Sequence, residues 1–206
     1  MHRWPEPEPA QKQGGSGPRL SYSDLSRTVS HALRHEPWLY ELEPDAEGWV
    51  PVAMLLESLR PLRPEWAQLT PDHLRTMIKR AGKQRHELQE ERIRACYGHT
   101  LPGRLSYAPV TPPAVLYHGT APAALTRIRQ QGLQPMLRQY VHSSPDPQRA
   151  HQVGARKAPQ PVVLTIDAGA ASAAGVGFYR GNDQVWLSDP IPVAYIRVPE
   201  PPPGEA

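Results

Sequence analysis

One cysteine in 206 residues, Cys96, removes two possibilities at once. It can form no intrachain disulfide, and it can assemble no cluster of thiolate metal ligands. No apolar run approaches the roughly 20 residues that span a bilayer, and the N-terminal stretch holds no apolar signal core. A soluble, cytoplasmic protein with no membrane contact is the expectation. Nine histidines are present, yet none falls in a His-Glu-x-x-His or paired Cys/His spacing, so no catalytic metal is expected. The most informative absence is local. Four basic stations, Arg34-His35, Lys83-Gln84-Arg85, residues 94–99 and residues 138–142, contain no Asp or Glu. A hydrolase usually requires a carboxylate as base, nucleophile or metal ligand. Guanidinium groups stay charged and fork toward phosphate oxygens, so several that converge suit a reaction whose partners already carry phosphate.

The net charge of +3 is small, but residues 73–104 hold eight Lys/Arg against three Glu, a plausible polyanion surface. Residues 1–19 mix Pro, Glu, Gln, Gly and Ser and residues 199–206 are proline-rich; neither can offset its ordering entropy, so both read as tails. Between them Ser21 or Ser23 caps a helix whose Leu25, Val29, Ala32 and Leu33 recur at helical spacing and which Pro37 stops. A strand at Trp49-Val50, a helix over 51–59 and a helix opened by Thr70-Pro71-Asp72 follow. A hairpin over 86–89 and 92–96 turns at Glu90. Three helices and a hairpin in residues 20–100 suggest a winged-helix-like lobe. The proline-rich stretch 101–114 reads as a linker. Residues 115–198 alternate strands (115–118, 140–143, 161–167, 177–180, 184–188, 194–198) with helices (122–131, 147–156). The fold class is therefore α+β.

Arg34-His35 taken alone is explained by the preference of cations for helix C-termini. Lys83-Gln84-Arg85 sits at the mouth of the hairpin, and residues 94–100 leave it through Gly98, where backbone amides can approach an anion. Tyr117-His118-Gly119-Thr120 closes an apolar strand and is expected to open a helix, its glycine admitting close ligand approach and the helix N-terminus favouring phosphate. These segments, followed in order by Gly132-Leu133, Arg138 with Val141-His142, and Val153-Gly154 with Arg156, resemble the NAD-dependent RNA 2'-phosphotransferases. The likeness covers about residues 20–198. It implies that residues 115–198 form an ADP-ribosyltransferase-like, β-rich lobe, with the active site between the two lobes. Two departures stand out: Tyr97 where the family usually has glutamine, and Tyr140 where histidine is common. Both bear on RNA contacts more than on chemistry. Val185 aligns with the position where many ADP-ribosyltransferases carry a catalytic glutamate.

The resemblance implies a monomeric enzyme that takes an RNA bearing a 2'-phosphate and NAD+ as co-substrate. The phosphate attacks the anomeric carbon of the NAD ribose and expels nicotinamide; the ribose 2''-hydroxyl then attacks the bridging phosphorus of an RNA-phospho-ADP-ribose intermediate. The first step has an anionic nucleophile and a cationic leaving group and needs no protein base, so positioning contributes most. Carried over residue by residue, Arg34, Arg85 and Arg138 clamp the phosphate and His35 assists the second step. Tyr117, His118, Gly119, Thr120, Gly132, Leu133 and His142 are assigned to NAD, and Lys83, Arg94, His99 and Thr100 to RNA phosphates. Two rival readings are a non-catalytic nucleic-acid-binding winged-helix protein, and an enzyme that ADP-ribosylates terminal phosphates of nucleic acids.

Overall fold

The computed structural model describes residues 20–199; the two expected tails lie outside this range, Pro199 excepted. The chain is mixed α/β and builds three small antiparallel sheets around two hydrophobic clusters.

The first cluster takes its residues from positions 25–95. Helix α1 (Tyr22–Arg34) begins where the Ser21 hydroxyl accepts the Asp24 N–H, and its Leu25, Val29, Ala32 and Leu33 are fully buried. Proline at position 37 cannot extend it, and a 3-10 turn, Pro37–Tyr40, follows. Strand β1 (Val50–Pro51) leads into α2 (Val52–Leu59), so Pro51 closes a strand instead of opening the helix. Helix α3 (Pro71–Arg80) carries buried Leu74 and Met77. Strands β2 (His86–Gln89) and β3 (Arg92–Ala95) form the expected hairpin, with Glu90 in the left-handed region at φ 54°. β3 also pairs with β1, placing Ile93 opposite Val50 in the core.

The second cluster runs from Leu116 to Ile191. Strand β4 (Val115–Thr120) pairs along its whole length with β6 (Val162–Asp167), which also pairs with β9 (Ile196–Arg197). A second sheet joins β5 (Val141–Ser143), β8 (Val185–Ser188) and β7 (Phe178–Asn182). Tyr117 and Ser144 exchange two backbone hydrogen bonds, of 2.8 and 2.9 Å, and so tie the two sheets together. Helices α4 (Leu125–Gln131), α5 (Pro147–Gly154) and α6 (Ala168–Ala173) complete this half.

Two sequence expectations change here. Gly119 and Thr120 belong to strand β4, and a 3-10 turn, Pro122–Ala124, separates them from α4, so no helix N-terminus starts at that motif. Gly119 also answers to packing: a Cβ there would lie 1.8 Å from the Ala150 carbonyl oxygen of α5. Gly132 ends α4 at φ 73°, with a Cβ position 2.1 Å from the Ile191 oxygen. Residues 101–114 contain neither helix nor named strand, yet they are fastened at both ends. Ser106 donates to Ala46 O at 2.8 Å on the first half, and Val110 to Phe178 O at 2.9 Å on the second.

Gly119→Ala should therefore force α5 off β4 and lower stability by about 1–3 kcal/mol or more. Gly82→Ala, where an added Cβ meets nothing within 4 Å, should stay within about 0.5 kcal/mol of the parent. Urea unfolding of both variants checks the contrast; equal midpoints would remove the packing account.

Candidate active site

Arg34 is the last residue of α1, and its position is set from three directions. Its Nη2 donates to Arg85 O at 3.1 Å, and its guanidinium carbon stands 5.1 Å from the centre of the Tyr97 ring. Its backbone oxygen accepts the Thr100 N–H at 2.9 Å. Arg85 O meanwhile accepts the Cys96 N–H at 2.9 Å, so one carbonyl joins helix end and hairpin. Arg34 Nε is buried without a partner. An unmet buried donor costs about 1–3 kcal/mol, which an incoming phosphate oxygen would remove.

His35 caps α1 and bonds Thr100 Oγ1 through Nδ1 at 2.8 Å, leaving Nε2 for a substrate. Burial lowers its pKa, reinforced by Arg34, His31 and Arg138, with Glu36 opposing. Arg138 sits in the loop between α4 and β5, where Met136 adopts φ 60°. The neighbouring Gln139 side chain anchors that loop, donating to Leu101 O and Gly103 O and accepting from Leu105 N–H.

Arg34, Lys83, Arg85 and Arg138 line one cavity of about 230 Å³, where Arg149 and Arg156 of the α5 segment join them. Among the described residues no Asp or Glu lines it. Burial lowers the Lys83 pKa, and Arg149, Arg156 and Arg85 lower it further. Val185 and Gln184 stand on the wall of this cavity.

A second cavity of about 400 Å³ shares His118, Arg138, His142 and Val153 with the first. Thr120, Gly132 and Leu133 lie along it. Tyr117 and Gly119 line the cationic cavity instead. His118 Nδ1 donates to His142 O at 2.8 Å, and His142 Nδ1 donates to Tyr140 O at 2.9 Å. Each ring is thereby held in the tautomer whose Nε2 is an acceptor. Burial brings His118 down to about 4 and His142 to about 3, so both are neutral near pH 7. Among the described residues His142 Nε2 has no partner.

The sequence-assigned residues thus divide. Arg34, Arg85, Arg138 and Lys83 converge, and Tyr117, His118, Gly119 and His142 line the same cavity, with Thr120, Gly132 and Leu133 in its neighbour. Thr100 touches the site through His35 and Arg34. Arg94 and His99 line neither cavity. The Arg94 guanidinium makes two bonds to Glu87 Oε2, of 3.0 and 2.9 Å, lies 3.7 Å from Glu47 Oε2 and stacks on Trp49 at 4.3 Å. His99 is buried, bonded to the Tyr107 hydroxyl, and lowered to about 3 by that burial.

Arg149 and Arg156 were not assigned from sequence. On the helix expected over 147–156 their spacing of seven around Val153 puts all three on one face, a signal available beforehand, although α5 itself ends at Gly154. The two departures are also resolved. Tyr97 carries Arg34 on its face and meets His142 edge-on at 6.1 Å, so it belongs to the clamp. Tyr140 is buried among Tyr107 and Tyr179, its hydroxyl donating to Leu105 O at 2.6 Å, and serves the packing of residues 101–114.

A carboxylate-free cluster of arginines beside a cavity lined by acceptor histidines defines a class, a protein built to hold a phosphorylated ligand. The comparison of sequences gives the family. Over residues 21–190 the chain matches the RNA 2'-phosphotransferase, Tpt1 / KptA family, and it belongs to that family. It is 48% identical over 178 residues to a probable RNA 2'-phosphotransferase of Acetivibrio thermocellus, covering 86% of this chain and 97% of the relative. A Bacillus thuringiensis protein of the same description is 47% identical over 177 residues, covering 86% and 95%. One from Pyrococcus horikoshii is 36% identical over 169 residues, covering 82% and 94%.

The lowered pKa of His35 gives a direct check on which way this ring faces. Without an anion the ring should lose its proton as pH rises through a midpoint below the ordinary 6.5 and be neutral at pH 7. Adenosine 2'-phosphate bound among the arginines offsets their repulsion, so the midpoint should rise on saturation. The ring-proton NMR titration reads both values, and an unmoved midpoint would separate His35 from the phosphate site.

Proposed function

We propose that the protein transfers an internal 2'-phosphate of RNA to NAD+, yielding RNA with a 2'-hydroxyl, ADP-ribose 1'',2''-cyclic phosphate and nicotinamide. The observation that carries this reading is the convergence of Arg34, Arg85 and Arg138 on a carboxylate-free cavity that shares a wall with the histidine-lined one, with His35 next to Arg34 in the adjoining groove and within the electrostatic reach of Arg138. On this reading the first half of the chain is a winged-helix-like RNA lobe and the second an ADP-ribosyltransferase-like lobe.

The lining fits a dinucleotide in kind. His142 Nε2, neutral and unpartnered, accepts a hydrogen bond of the type a ribose hydroxyl donates, and His118 Nε2 offers a second such acceptor. NAD+ supplies an anomeric carbon that already bears a cationic leaving group, so the transfer needs no protein carboxylate. Arg34, Arg85 and Arg138 hold the phosphate oxygens and stabilise the charge that concentrates on them. His35 is neutral at rest, so its Nε2 accepts the ribose hydroxyl proton when that oxygen attacks phosphorus. The same ring then returns a proton to the departing RNA 2'-oxygen. Thr100 fixes the ring orientation throughout.

Incubation with a short 2'-phosphorylated RNA, with and without NAD+, followed by mass analysis, tests the class: phosphate loss should require NAD+ and release nicotinamide. Arg138→Ala should lower turnover at least about a hundredfold with unfolding unchanged, since one charge-assisted contact in the transition state is commonly worth several kcal/mol. Near-normal turnover would overturn the assignment. A wall of six cations disfavours a divalent ion, so EDTA should leave the rate unaltered; loss restored by a divalent metal would point to metal-assisted hydrolysis instead.

A further inference from the structure

The cationic cavity does not end at Arg34 and Arg85. Both residues also line a groove of about 640 Å³ that runs along the outer face of α1 and over the C-terminal end of α3. Ser23, Ser26 and Ser30 fall three and four residues apart on α1 and line it, the Ser23 hydroxyl bonded to Ser21 Oγ and the Ser30 hydroxyl to His86 Nε2, each at 3.0 Å, and Arg27 and Arg80 flank it. From Ser23 to Arg34 the helix advances roughly 16 Å, room for more than one nucleotide. No Asp or Glu lines this groove among the described residues. The contrast within the same half is sharp: the cavity between α2 and the hairpin is lined by Glu57, Glu90 and Glu91 as well as by arginines.

Arg80 has no carboxylate partner among the described residues and lies 4.7 Å above the Tyr22 ring, which holds its stem and leaves guanidinium edges free. Arg27 is ion-paired with Asp24 on the exposed surface, an interaction weak enough to exchange for phosphate. Cations joined to hydroxyls are the side chains that hold nucleic-acid phosphates without reading bases.

We infer that this groove is the track for the RNA strand flanking the reacting ribose, with Arg80, Arg27 and the α1 serines holding phosphodiester oxygens while the 2'-phosphate enters the cavity past Arg34 and Arg85. The inference rests on the RNA reading given above. It deepens that reading by assigning a path for single-stranded RNA and a preference for a phosphate with neighbours on the strand over a lone nucleotide.

The test is binding, so it does not require turnover. Fluorescence anisotropy with a labelled oligoribonucleotide carrying one internal 2'-phosphate is followed against salt for the parent, Arg80→Gln and Ser26→Asp, beside competition by adenosine 2'-phosphate alone. The mononucleotide occupies only the cavity and reports that it is intact. Both variants should bind the oligonucleotide about tenfold more weakly at low salt and the mononucleotide as before. Arg80→Gln should also reduce the log–log salt slope by about 0.7, the value of one lost phosphate contact on a single strand. Unchanged oligonucleotide affinity in both variants, or parallel loss for oligonucleotide and mononucleotide, would overturn the inference. Failure of the NAD-dependent reaction would instead strike the catalytic reading, whatever the anisotropy shows.

Discussion

Six cationic side chains share one small cavity with no carboxylate among the described residues to neutralise them, and the rest of the structure can be understood as what holds them there against their repulsion. Like charges that close disperse into solvent unless their stems are fixed. Arg34 is fixed by the Arg85 carbonyl and the Tyr97 ring; Arg138 by a loop whose Gln139 side chain makes three bonds to residues 101–105. Arg149 stands on α5 and Arg156 two residues beyond its end, and α5 is seated on β4 by the absence of side chains at Gly119 and Gly154. Burial lowers the pKa of Arg34, and Arg85 and Arg138 lower it further. The guanidinium still keeps its proton, so the strain is retained as affinity for an anion.

That clamp is divided between the halves of the chain. Arg34, Lys83 and Arg85 come from the first hydrophobic cluster's elements and Arg138, Arg149 and Arg156 from the second's. Their spacing therefore depends on contacts that cross between the halves. Asn182 Nδ2 donates to Gln84 O at 2.7 Å directly beside the cavity, Tyr97 meets His142, and the stretch 101–114 is bonded to both sides. Residues 101–114 separate the halves in sequence and act as a strap between them in space. The Arg104 pair with Asp189 and the stacking of Arg104 on Tyr140 secure its early part.

Much of this was legible in the sequence, and the reasons differ by residue. Helix α1, the hairpin and the positions of the strands along the chain could be read because their signals are local: apolar periodicity, proline stops, a turn at Glu90. Arg34, Arg85 and Arg138 could be picked out because the motif likeness placed them in order, though nothing local says that they meet. Arg94 was assigned to RNA phosphates, yet Glu87 seven residues earlier and Glu47 forty-seven earlier neutralise it. Only the β3 pairings bring those carboxylates within reach. Gly119 illustrates a second limit. A glycine beside a histidine suggests ligand approach, whereas the closest claim on its space is the α5 backbone, which no feature of positions 117–120 announces. The helical face of Arg149, Val153 and Arg156 was readable, but a basic helix face is more often solvated than functional.

The place of Val185 follows from the same electrostatics. It lies on the wall of the cationic cavity, between Gln184 and the buried Trp186. A glutamate there would sit among the arginines and pair with them, satisfying the donors that a phosphate is meant to satisfy. A charge-assisted bond to the protein's own carboxylate would then have to be broken before a phosphate could bind. Chemistry that begins with a neutral nucleophile gains from such a carboxylate, because a proton must leave. Chemistry that begins with a phosphate dianion loses by it, because the nucleophile must first be drawn into the cavity. On the proposed reaction the valine and the unneutralised arginines are therefore one feature: the cavity gives up a base and keeps its charge for the substrate.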